Sequence, residues 1–210
     1  MNVHFKNILI MASAAIPGIG SPLSVFLDKY LPENLENRKI NFITTLIQDF
    51  ENHSDYVKKE LINNDEFINT FLVILEKAIK ESRKEKLMAF RNILLNKVHK
   101  KENFDEESFF IRLVDEFNID QIKILNYFYH NELNGHCNYR YRNSIQKELL
   151  KKWPNIDYDY LLVCTTELIR YRIIISSKKD LKNGENSVFS SFGKRFVEYI
   201  FSPIDIKDNE

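Results

Sequence analysis

The chain has 210 residues, 44% hydrophobic and 29% charged, with 30 basic against 30 acidic side chains. That is too apolar for a disordered chain, and five Gly and five Pro are too few for a collagen-like, linker-like or turn-rich all-β architecture. Zero net charge, −2 over residues 1–117 and +2 over 118–210, supplies no global field toward nucleic acid, and two cysteines, Cys137 and Cys164, without a CxxC pair exclude a disulfide scaffold.

From Asn7 to Leu27 there are 21 residues without a charge, roughly the length that spans a bilayer. Pro17, Gly18, Gly20, Ser21 and Pro22 break the centre, so the apolar run is only Ile8 to Ile16. The reading is a helix over Val3–Ala15, a hinge at Pro17, Gly18, Gly20 and Pro22, and a short helix over Pro22–Leu31 capped by Ser21. Membrane contact through residues 7–27 is the alternative. A secretory signal fits badly, with one Lys before the run and no convincing cleavage site.

Pro32 opens an amphipathic helix carrying Leu35, Phe42, Ile43, Leu46, Ile47 and Phe50. Ser54–Asn63 reads as another. Over Asp65–Lys80, Phe67, Ile68, Phe71, Leu72, Leu75, Ala78 and Ile79 share a face. Ser82 to Glu85 fits a capping box, opening a helix to about Lys100 with Leu87, Phe90, Leu94 and Val98 inward. Asp105-Glu106-Glu107 places negative charge at the start of a helix ending near Phe117.

After Asn118 the expected order is a helix over 120–131, a turn at Asn134-Gly135, a helix over 143–153 closed by Pro154, and a helix over 157–171 capped by Asp157. The β-branched run Ile173-Ile174-Ile175 then reads as a strand, Lys182-Asn183-Gly184-Glu185 as a hairpin turn, and Ser187-Val188-Phe189 as its return. Ser191 starts a last helix reaching Phe201. Three helices, a short hairpin and a closing helix make a winged-helix-like order. Its expected core is Ile122, Leu125, Phe128, Leu149, Leu161, Leu168, Ile173, Phe196 and Ile200.

Four stretches carry a resemblance. They are the broken N-terminus AAIPGIGSPL; the pair Leu75-Glu76-Lys77-Ala78 and Glu85-Lys86-Leu87 with Asn92-Ile93-Leu94-Leu95-Asn96; Phe110-Ile111-Arg112-Leu113-Val114 leading into Asp120-Gln121-Ile122-Lys123-Ile124-Leu125; and Phe192-Gly193-Lys194-Arg195-Phe196. In this layout the chain resembles the abortive-infection α family of small bacterial proteins associated with phage resistance. It departs at Phe90, where family members often have Trp. The resemblance implies a role in phage defence and supplies neither a mechanism nor functional residues.

No motif carries catalysis: there is no GxSxG, no Walker sequence, and Gly18-Ile19-Gly20 lacks the third glycine and the βαβ setting of a dinucleotide loop. His130, His136 and Cys137 are close in sequence, but a zinc site needs fixed four-ligand geometry, and a polar loop is the simpler reading. Asp and Glu residues read as solvated helix faces.

A groove-reading helix should begin with Arg, Lys, Asn or Gln. Here it begins Asp157-Tyr158-Asp159-Tyr160, and carboxylates repel phosphate. Arg140, Arg142, Lys147, Lys151 and Lys152 before it, and Lys178, Lys179 and Lys182 in the wing, are the candidates for phosphate contact. Nucleic acid is therefore possible as a partner but disfavoured.

The expected fold is mainly α. A helical domain over 1–117 has the Pro/Gly-hinged apolar segment at its start. A winged-helix-like module with a short β-hairpin covers 118–203, and a polar tail covers 204–210. The expected protein is a non-enzymatic defence protein with no cofactor and no metal. It would work in the cytoplasm or at the inner membrane face, through a protein partner or self-association. A DNA-binding regulator and a membrane-perturbing effector are the alternatives.

Overall fold

A computed structural model describes residues 36–53, 65–99, 106–133, 142–175 and 187–202. Among them are eight helices: α1 (Glu36–Asn52), α2 (Asp65–Lys80), α3 (Lys84–His99), α4 (Glu106–Glu116), α5 (Ile119–Leu133), α6 (Arg142–Lys152), α7 (Tyr158–Arg170) and α8 (Ser191–Phe201). The protein is mainly α. The hinged segment with Pro17, Gly18, Gly20 and Pro22 lies outside the described residues, as do the helices expected over 3–15, 22–31 and 54–63. No helix among the described residues is long and apolar enough to cross a membrane. The described chain falls into two compact units, divided between Glu116 and Phe117, with Ser202 belonging to the first.

In the first unit α3 is the central helix, packed by α1, α2 and α4. Its residues Asn92, Ile93, Leu94, Leu95 and Asn96 are buried in succession, so it is not a two-faced helix. Phe42, Leu46 and Phe50 of α1 and Phe67, Phe71, Ile74 and Leu75 of α2 fill the space around it, and the Phe50 and Phe67 rings meet at 6.3 Å. Leu87, expected inward, is only half-buried.

The polar groups inside this unit are paired, as burial requires. Lys86, 2% exposed, donates to the Asp115 carbonyl at 2.8 Å and lies 3.6 Å from the Glu81 carboxylate. Burial holds the Lys86 ammonium below its usual pKa. Asn96 donates to the Ser202 carbonyl at 3.0 Å, and Arg91 pairs with Asp49 at 2.6 Å, tying α3 to α1.

Two expectations about charge are corrected here. The Ser82 backbone N–H is held by Glu81 at 2.7 Å, not by Glu85 reaching back in a capping box. The Glu81 carboxylate also accepts from the Arg83 backbone N–H and guanidinium, because the α2–α3 turn brings two backbone N–H groups and two guanidinium nitrogens to it. Nor are all acidic residues on solvated faces: Glu81 and Glu107 are buried. Lys97 bridges Glu107 at 3.0 Å and Glu66 at 2.9 Å. Burial nevertheless pushes the Glu107 carboxyl up.

In the second unit α5 packs against α7 and α8, and α6 against α7. All nine residues expected in its core are buried. Phe117 meets the Tyr171 and Phe196 rings edge-on at 5.5 and 6.1 Å. α5 starts with a reciprocal cap, Asn118 N–H to Gln121 Oε1 at 2.8 Å and Gln121 N–H to Asn118 Oδ1 at 2.9 Å.

The expected β-hairpin is replaced, among the described residues, by a single antiparallel bridge between Ile174 and Phe189. Ile175 N–H donates to Val188 O at 2.9 Å, and Ser190 N–H to Ile173 O at 3.0 Å. The other ladder donors among the described residues are used elsewhere. Ile173 and Ile174 N–H turn back to Leu168 O at the end of α7, and Val188 N–H goes to the Glu132 carboxylate. The turn at 182–185 lies outside the described residues.

Candidate functional site

α7 is the helix that a groove-reading module would present. Pro154 removes a backbone donor just after α6 and helps to end it; Ile156 N–H then closes a turn on Trp153 O at 3.1 Å. Asp157, in extended backbone, caps α7 by accepting from Tyr160 N–H at 2.8 Å. Leu161, Cys164, Thr165 and Leu168 then fall on the inner face at helical spacing, and all four are buried.

The outer face is formed by Asp159, Tyr160, Val163, Thr166, Glu167 and Arg170, all exposed. Val163 is 56% exposed at its centre, and Tyr160 is 39% exposed. The Tyr160 hydroxyl donates to Asp120 Oδ2 at 3.0 Å. Partial burial, this carboxylate and the Cys164 sulfur push the phenol well above its usual pKa, so it stays a neutral donor. Glu167 accepts from the buried Gln121 amide at 2.6 Å. Thr166 turns its hydroxyl to Leu162 O at 2.6 Å within its own helix. The face thus has an apolar centre, anchored polar flanks, and one cation, Arg170, at its far end.

Of the basic candidates, Lys147, Lys151 and Lys152 are exposed on α6. Lys151 pairs with Glu148 at 3.5 Å, and the Lys152 ammonium stands 5.8 Å from the centre of the Tyr127 ring. Arg142 is the first residue of α6. Arg140, Lys178, Lys179 and Lys182 lie outside the described residues. The structure therefore brings together part of a basic α6 face, and the first turn of α7, Tyr158 to Leu161, carries no cation of its own.

Between the start of α5, the end of α6 and the turn that follows it is an open groove of about 340 Å³, lined by Asp120, Lys123, Ile124, Lys152, Trp153, Pro154, Asn155 and Ile156. An indole wall with two ammonium groups suits docking of a side chain, and Asp120 already engages Lys123 at 3.6 Å. The groove brings no nucleophile and base together.

His130 is exposed at the end of α5, while His136 and Cys137 lie outside the described residues. Cys164 is buried and free. Among the described residues no three His, Cys, Asp or Glu side chains are placed to hold a metal ion. Sequence reasoning missed the ties of Tyr160 to Asp120 and Gln121 to Glu167. The Asn118-x-x-Gln121 spacing is the one signal that could have located that corner. Comparison with protein-family models, curated proteins and solved structures gives no match to this chain.

Proposed function

We propose that this chain is a non-enzymatic bacterial phage-defence protein of abortive-infection type, acting through protein contacts made by its second unit. The observation that carries the reading is the outer face of α7. Val163 and Tyr160 are exposed where a groove-reading helix needs hydrogen-bonding residues, and Asp159 and Glu167 flank them. Such a face repels phosphate and suits an interface, where aromatic and apolar side chains form the contact centre.

A winged-helix-like module belongs to the same proposal. Its support is the order of α5, α6 and α7, the Ile174–Phe189 bridge, and α8 closing on α5. The defence role is supported by the four stretches that resemble the abortive-infection α family. The test is expression in a bacterial host challenged with a broad phage panel. Reduced plating by the wild type is expected, and unchanged plating across the panel would end the reading.

A DNA-contacting module is the second reading, favoured by exposed Lys147 and Lys151 on α6. It predicts retention on random duplex with a steep salt dependence. Membrane action through residues 7–27 predicts that the expressed protein fractionates with membranes.

A further inference from the structure

Asp159, Val163, Thr166 and Arg170 are spaced 4, 3 and 4 residues apart on the exposed side of α7. That is the spacing of a seam along which two helices pack. The seam has a carboxylate at one end, Val163 and Thr166 at its centre and a guanidinium at the other, with the exposed Glu167, already held by the Gln121 amide, beside the centre. We propose that its occupant is a second copy of this chain, with the two α7 helices antiparallel about a two-fold axis. The proposal rests on the reading of this face as a protein-contact surface.

Self-complementarity is what selects a second copy. A two-fold interface uses one patch twice, so residue i meets j and j meets i. Antiparallel pairing that sets Asp159 opposite Arg170 sets Val163 opposite Thr166 and closes a second Asp159–Arg170 pair. Parallel pairing would set like charges together at both ends. The Thr166 hydroxyl is already satisfied by Leu162 O, so the centre can close without water. Antiparallel helix dipoles also favour the arrangement. Zero net charge offers no general repulsion between copies. α7 has 13 residues, about 20 Å of helix, so the contact is small and the dimer is reversible.

The experiment is sedimentation of the full chain from about 1 to 500 μM, for the wild type, Asp159→Arg, Arg170→Asp and an equimolar mixture of the two variants. The wild type should form dimers as concentration rises. Each variant alone sets like charges opposite each other and should weaken pairing at least about tenfold. Their mixture places an all-basic end pair against an all-acidic one and should restore the dimer, which also shows that both variants are folded. A wild type monomeric throughout, variants that pair as well as wild type, or a mixture that stays monomeric would each overturn the proposal. The protein-contact reading fails separately, if phage resistance is indifferent to the α7 face.

Discussion

The backbone of Gly193 lies against the Ile173 carbonyl so closely that a Cβ on Gly193 would stand 1.9 Å from the oxygen and 2.6 Å from the carbon. The obstacle is backbone, and that backbone is fixed by the Ser190 N–H bond to the same oxygen at 3.0 Å. Gly193→Ala must therefore push α8 off the end of α7 or break the bridge. It should cost about 3 kcal/mol or more, read as a lower urea midpoint than wild type. A change under about 0.5 kcal/mol would refute this packing.

Arg172 follows α7 with φ of 60°, the left-handed conformation that costs a side chain about 1–2 kcal/mol. Its N–H donates to Ile169 O at 2.9 Å, and Ile173 N–H to Leu168 O at 3.0 Å, the two bonds of a Schellman end. Arg172→Gly removes the strain and loses some through added freedom of the unfolded chain. The net expectation is a gain of about 0.5–1 kcal/mol, measurable by denaturant unfolding. A loss would mean that the Arg172 side chain stabilises the fold by more than its backbone strain costs.

Glu81 gives the first unit an acid sensitivity. Burial alone would raise its pKa, but the Arg83 side chain and the backbone N–H groups of Arg83 and Ser82 hold it at about 2, against an ordinary 4.5. The depressed value means the charged form stabilises the fold. That contribution is complete above pH 4.5 and is lost as pH falls toward 2. Glu81→Gln should cost on the order of 2 kcal/mol near neutrality, and the gap from wild type should narrow through that window. Glu107, pushed up by burial, has the opposite sign and opposes part of this loss on acidification. A Glu81→Gln penalty that is constant from pH 6 to about 2.5 would contradict the assignment.

Leu161 is fully buried on the inner face of α7. Leu161→Ala should cost about 2–5 kcal/mol through lost transfer energy and the cavity left behind. Val163→Ala, two residues along on the outer face, should stay within about 0.5 kcal/mol. Chemical denaturation of the pair tests the orientation of the helix; equal costs would mean it is rotated.

Periodicity made much of this legible. Nine core positions of the second unit follow from apolar residues recurring on one face, and Asp157 marks the start of α7 because a short acceptor before a helix takes its free N–H groups. The misses have a common cause: tertiary partners that spacing does not encode. Nothing in the spacing around Lys86 signals burial, yet it is buried because Asp115 O and Glu81 reach it. The triple Ile at 173–175 reads as a strand, yet Leu168 O and Glu132 take the N–H groups that would lengthen it. At the candidate site, the acidic start of α7 was plain in the sequence. Val163 was not, since it lies in the apolar run Leu161-Leu162-Val163-Cys164, which by composition alone gives no sign of which residue faces outward.

Plating efficiency reads out whether the outer face of α7 acts by contacting protein. Cells expressing wild type, Val163→Glu, or the double variant Lys147→Glu with Lys151→Glu would be challenged with phage, with folding of each protein checked by circular dichroism. Expected are resistance with the wild type, plating restored to the empty-vector level by Val163→Glu, and resistance retained by the lysine variant. Full resistance in a folded Val163→Glu protein, with resistance lost in the lysine variant, would contradict it and return the module to DNA.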